Sequence, residues 1–182
     1  MPYDKHPSNV LTQPQNAIVV AQLRAMGRSD AAMESCAPDV VPNAYLRLGT
    51  HPDLVTRLWN EITKTLPVHC RWIVNGRPVL VRPDSGIIFG FALGTHTYGL
   101  RLPAAQRSEL AAAALQKAEE NADRFGLVGD KRQQYVNTHT GDVWAYPRST
   151  FDAKTFGPNW VLGHWLQRET EWCGVAYEFA AA

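Results

Sequence analysis

Two Thr-His-Thr triplets, at residues 95–97 and 138–140, hold two of the six histidines in the chain. Imidazole can bind zinc through one ring nitrogen at about 2 Å, or carry a proton near neutral pH. His96 and His139 are therefore the candidates for a small hydrolytic centre, each needing a carboxylate or a metal beside it. Neither an H-x-x-x-H nor an H-E-x-x-H spacing occurs, and no C-x-x-C pair is present. A metal would thus need a third ligand from elsewhere, such as Asp84, Asp142 or His164. No metal is assigned and no cofactor is indicated. The plainer alternative is that Thr-His-Thr marks strand edges, since Thr suits strands and bonds nearby backbone groups.

Glu169 lies between Leu166 and Trp172 on an apolar stripe. A desolvated carboxylate has a raised pKa, which suits a general acid or base. His164 and Cys173 are close to it in sequence, but no G-x-S-x-G nucleophile elbow accompanies them.

A second set of residues suits binding. Gly90 and Gly99 fall mid-strand, where glycine weakens a sheet and often marks a close backbone approach. In the expected register they oppose each other and floor a groove lined by Trp72, Thr97 and Arg101. Arg71 and Arg82, with His69, gather at one end of the opposite face. Guanidinium forks suit carboxylate or phosphate there, or a polar rim paired with Asp84. Trp144, Tyr146, Trp160 and Trp165 form either an aromatic wall or part of the core.

The elements that must position these groups are legible from pattern. Pro14 opens a helix through "NAIVVAQLRAM" that Gly27 stops, and Ser29 or Asp30 caps a short second helix through "AAMESC". In "THPDLVTRLWNEITKTLP", Thr50 and Asp53 have capping-box spacing, and Leu54, Val55, Leu58 and Ile62 make an apolar stripe. Residues 68–102 read as an antiparallel meander of about four strands. Its turns are Asn75-Gly76, "RPDSG" and Gly94-Thr95. Two-residue loops set Val74 opposite Arg77, Arg82 opposite Ile87 and Leu93 opposite His96. In that register His69 and His96 are roughly 20 Å apart, too far to share a metal. A one-residue bulge would exchange the faces beyond it.

A helix follows from Pro103 to a stop at Gly126, with Ala111, Leu115, Ala118, Ala122 and Phe125 on one face. Asp130, Lys131 and Arg132 read as a solvated loop. The tail "NWVLGHWLQRETEWCGVAYEFA" has helical spacing, although its aromatic content also suits two short strands.

Length and composition bound the rest. At 182 residues, 45% hydrophobic and 19% charged, the chain suits one globular domain. A net charge of +1 lends nucleic-acid binding no support. Three widely spaced cysteines are a poor disulfide framework, and the N-terminus lacks the apolar run of a secretory signal. No stretch approaches the roughly 18 apolar residues of a spanning helix. The expected location is the cytoplasm, without membrane association.

The fold expected is α+β: the meander covered by N-terminal, central and C-terminal helices, with residues 1–12 a loosely held arm on a single domain at 13–182. The function expected is a non-catalytic binding protein for a small molecule or protein partner, using the groove over the meander. The alternative is the small hydrolase built on His96 or His139. Oligomeric state and cofactor stay open.

Overall fold

The computed structural model describes residues 9–26, 33–35, 49–61, 63–66, 70–95, 97–139, 153–163 and 169–181. The architecture is α+β. A six-stranded antiparallel sheet runs in sequence order: β1 (Met33–Ser35), β2 (Arg71–Val74), β3 (Arg77–Val81), β4 (Ile88–Leu93), β5 (Thr97–Arg101) and β6 (Trp160–Gly163). The strands β2 to β5, joined in sequence by short turns, pair antiparallel because nothing longer separates them. The helices are α1 (Ala17–Ala25), α2 (Pro52–Thr56), α3 (Ala104–Arg124), α4 (Gly129–His139) and α5 (Glu169–Phe179). A 3-10 turn, Pro14–Asn16, leads into α1, and a π turn, Arg57–Glu61, continues α2.

The Asn75-Gly76 turn has φ of 47° and 76°. Both central residues are left-handed, which matches the strand twist and sets Val74 opposite Arg77 as expected. Arg82 N–H also donates to Ile87 O at 2.9 Å, as the second turn requires.

Beyond that point the register departs twice. Val81 pairs with Ile88 but Leu80 pairs with Gly90, so Phe89 is an extra residue in a β-bulge. The next turn holds three residues rather than two, and Leu93 opposes Thr97, not His96. The bulge exchanges the faces of Gly90 to Leu93, and the longer turn restores them in β5. Phe89 accordingly packs on one face of the sheet and Phe91 on the other.

Both faces are buried. On the first, α2 with its π turn, the start of α3 and α5 bring Leu54, Leu58, Leu110, Trp172 and Ala176 onto Ile73, Leu80, Phe89 and Leu100. On the second, Val19, Val20 and Leu23 of α1, with Phe156, cover Trp72, Val79, Ile88 and Phe91. Each such aliphatic side chain removed from water contributes about 1.5–3 kcal/mol. Asn16 locks α1 to the sheet. Its Nδ2 donates to Val10 O and Gly86 O, both at 2.8 Å, and its Oδ1 accepts from Ile88 N at 2.9 Å.

Several expected elements differ. Residues 33–35 form the edge strand β1 where a short helix was expected; pairing along β2 outweighs the local helical pattern. Thr50 does not cap α2. Its hydroxyl donates to Ala92 O at 2.9 Å, and His51 is the cap, its Nδ1 accepting from Asp53 N at 3.2 Å. The tail divides into strand β6 and helix α5 rather than one helix. Of the expected N-terminal arm, residues 9–12 are described, and Val10 is buried in the core.

The central helix holds the largest difference. Its buried stripe is Leu110, Ala114, Ala118 and Ala122, while Leu115 and Phe125 are exposed. Gly126, at φ +67°, ends it: Leu127 N donates to Ala122 O and Gly126 N to Asp123 O, the paired bonds of a Schellman cap. The chain then turns into α4, where a loop was expected. α4 packs chiefly on α3 through Ala118, Ala122 and Val136, backed by Leu127 and Tyr135. The two helices form an arm inserted between adjacent strands β5 and β6.

Candidate functional site

The register separates the two glycines that were expected to floor a groove. Gly90 opposes Leu100, and Gly99 opposes Phe91. A Cβ on Gly90 would come within 2.8 Å of Leu80 Cδ1, and one on Gly99 would run into the Phe91 ring. Each glycine thus makes room for a side chain of the sheet itself. Phe91 lies across Gly99, and Phe156 and Trp160 pack on it with ring centres 4.7 and 4.8 Å away. Alternation along β5 does put Thr97 and Gly99 on the Trp72 face, where Trp72 and Thr97 are buried, whereas the Arg101 guanidinium lies against Phe179 of α5. That face is covered by α1 and Phe156 rather than open as a groove.

Arg71 and Arg82 are brought to one end of the first face, as expected. Arg82 is consumed by structure. Its Nε and Nη2 grip Asp84 at 2.7 and 3.2 Å, and its Nη1 donates to Tyr177 O at 2.9 Å. The guanidinium carbon lies 4.3 Å from the Tyr177 ring centre and Nη1 lies 3.8 Å from Glu178. This clamp fastens the end of α5 to the β3–β4 turn, where Ser85 Oγ also donates to Ala180 O at 2.6 Å. The hydrogen bonds from Arg82 hold the Asp84 carboxyl below its ordinary value.

Cys70 sits beside these arginines, and burial pushes its thiol up to about 12 despite their charge. A protonated, enclosed thiol is not a nucleophile at neutral pH.

The hydrolase residues fare unevenly. His96 and the Glu169 side chain lie outside the described residues, as do His69, His164, Trp144, Tyr146 and Trp165. His139 is at the end of α4 on the arm, not at a strand edge. Its ring stacks on Tyr135, centres 4.0 Å apart, and its Nδ1 is 2.8 Å from Tyr135 O. Among the described residues no three His, Cys, Asp or Glu side chains are grouped to hold a metal. None of the described helices is long and apolar enough to cross a membrane.

Three features escaped the sequence reading. Arg77 is buried with its donors on the carbonyls of Met26 and Gly49, a role visible only once α1 is placed. Phe125 and Val128 are 62% and 77% exposed at the turn of the arm. The spacing Gly126 to Gly129 signals a helix–turn–helix, and it was the cue that could have revealed α4. Beside Phe125 stands an aromatic row, with its ring edge-on to Tyr135 at 5.9 Å and Tyr135 stacked on His139. Asp123 and Arg132 pin the two helices together at 2.9 Å.

No protein-family model, curated protein or solved structure matches the chain.

Proposed function

We propose that the chain is a non-catalytic binding protein that engages a protein partner through the α3–α4 arm. The observation that carries this reading is the exposure of Phe125 and Val128 at the arm's turn, in line with the Tyr135–His139 stack. Apolar groups clustered on an exposed turn and rimmed by charge mark interaction sites. The arm has its own small core, a Schellman cap and an ion pair. Such an arm presents these side chains at little ordering cost on binding. By contrast, the groove once expected over the glycines is filled by Phe91.

The test places a photo-crosslinking amino acid at position 125 and, separately, at exposed Ala113 on the same helix. The protein is expressed in the cells that naturally make it. A discrete adduct at 125 and none at 113, lost again on Val128→Ser, is the expected result. Equal labelling at both positions, or none at 125, would overturn the reading.

A further inference from the structure

Among the described residues, Arg77 and Arg101 are both nine-tenths buried, and their surroundings differ in kind. Arg77 donates from Nη2 to Met26 O at 2.6 Å and from Nη1 to Gly49 O at 2.9 Å. Its charge also stands at the C-terminal end of α1, where the helix dipole favours a cation.

Arg101 has no comparable arrangement. It is 8% exposed, and its Nη1 is enclosed without a hydrogen-bond partner. No carboxylate among the described residues pairs with it. The Phe179 ring lies against the guanidinium, 4.4 Å from its carbon to the ring centre. A ring face attracts a cation but supplies none of the lone pairs that five N–H donors require. Burial pushes Arg101 below its ordinary pKa, the direction expected of a charge stripped of water and given no counter-ion.

The same corner of the molecule carries a second cation. Arg107, at the start of α3, donates from Nε to Leu102 O at 3.2 Å and from Nη2 to Asn159 Oδ1 at 3.3 Å. Both acceptors are uncharged. Leu102 N in turn donates to Asn159 O at 2.8 Å, so the end of β5, the turn before β6 and the start of α3 form one bonded unit. Arg101 directly precedes Leu102, so two arginines are rooted in this unit, and neither has an acidic partner among the described residues. A buried charge is ordinarily paired, because an unpaired one keeps its desolvation cost uncompensated.

We propose that this corner is a binding site for a small oxyanion, a carboxylate or a phosphate group, whose oxygen accepts from Arg101 Nη1. Arg107 adds positive charge at the rim. Phe179, partly exposed in the last turn of α5, is the side chain that swings to admit the anion. The site uses none of the residues at the arm's turn, so it stands or falls independently of the partner reading.

The full chain is melted at fixed ionic strength in chloride, then with part of the chloride replaced by inorganic phosphate or by acetate. Wild type is expected to gain Tm with one of these anions. A larger gain with phosphate identifies a phosphate group, and a larger gain with acetate a carboxylate. Arg101→Met keeps an unbranched apolar stem and removes the charge. It should abolish the gain while its Tm in chloride stays equal or rises, because the unpaired charge is gone. Should that variant not fold, Arg101→Lys retains the charge without the fork, and must still weaken the gain several-fold. No gain in wild type, or an undiminished gain in the folded variant, would overturn the site.

Discussion

At Gly99 a hydrogen stands where any other residue would place a carbon against the Phe91 ring. The ring is held from behind by Phe156 and Trp160, so it has nowhere to retreat. Gly99→Ala should therefore destabilise the protein by about 1–3 kcal/mol, the usual range for overpacking. Chemical denaturation measures it. In the background Phe91→Leu the same substitution should cost markedly less, since a smaller side chain frees the space. If the cost is unchanged in that background, the Phe91 contact is not the reason for glycine. The position of Gly99 in a strand was legible in the sequence, and so was its need for a close neighbour. What could not be read was the neighbour's identity. That depends on Phe89 bulging out of β4, and a bulge leaves no mark in the alternation of "IIFGFAL" because both faces are apolar. Arg101 was legible in the same limited way, as a charge on an otherwise apolar strand face.

At the level of elements, α5 is held to the sheet both by burial and by the Arg82 clamp, and the clamp titrates. Arg82 pulls the Asp84 carboxyl below its ordinary value, so the folded state takes up that proton less readily than the unfolded chain. Stability from the pair is then fully present above the unfolded Asp value of about 3.9, and it is lost as pH falls through the lower folded value. Wild type should exceed Asp84→Asn in Tm at neutral pH, and the gap should close as pH falls from about 4 downward. Because Asp84 is largely exposed, the gap should correspond to less than about 1 kcal/mol. A gap that widened with acid would show that the carboxylate is not the stabilising form. The clamp illustrates which elements sequence can and cannot assign. Hairpins announce themselves through Asn75-Gly76, whose turn chemistry is local. By contrast, residues 33–35 became a strand only through β2, and the tail divided into β6 and α5 only because β5 offered a free edge. Those outcomes are decided by partners far away in the chain, which local propensity does not contain.

For the molecule as a whole, the consequence is an uneven distribution of stability. The sheet is covered on both faces, and Val79, Leu80, Ile88 and Phe89 are fully enclosed. The arm rests on a core of small residues, Ala118, Ala122 and Val136, and α4 finds its main support in α3. Local opening free energy follows buried apolar contact, so α4 should open without the sheet. Native-state hydrogen exchange under increasing denaturant separates the two processes. Amides of β3 and β4 should exchange only by global unfolding, with a steep denaturant dependence that tracks the surface exposed. Amides of α4 should exchange at lower free energy with a shallow dependence, and Val136→Ala should lower theirs further while leaving those of β4 nearly unchanged. Equal protection in α4 and β4 would mean that the arm is part of the main cooperative unit. In that case Phe125 and Val128 would be carried by the main cooperative unit rather than by a separately stabilised arm. The same measurement, repeated with phosphate or acetate present, separates the two proposed sites in space. An anion at Arg101 should raise protection at the end of β5 and in the last turn of α5 while leaving that of α4 unaltered.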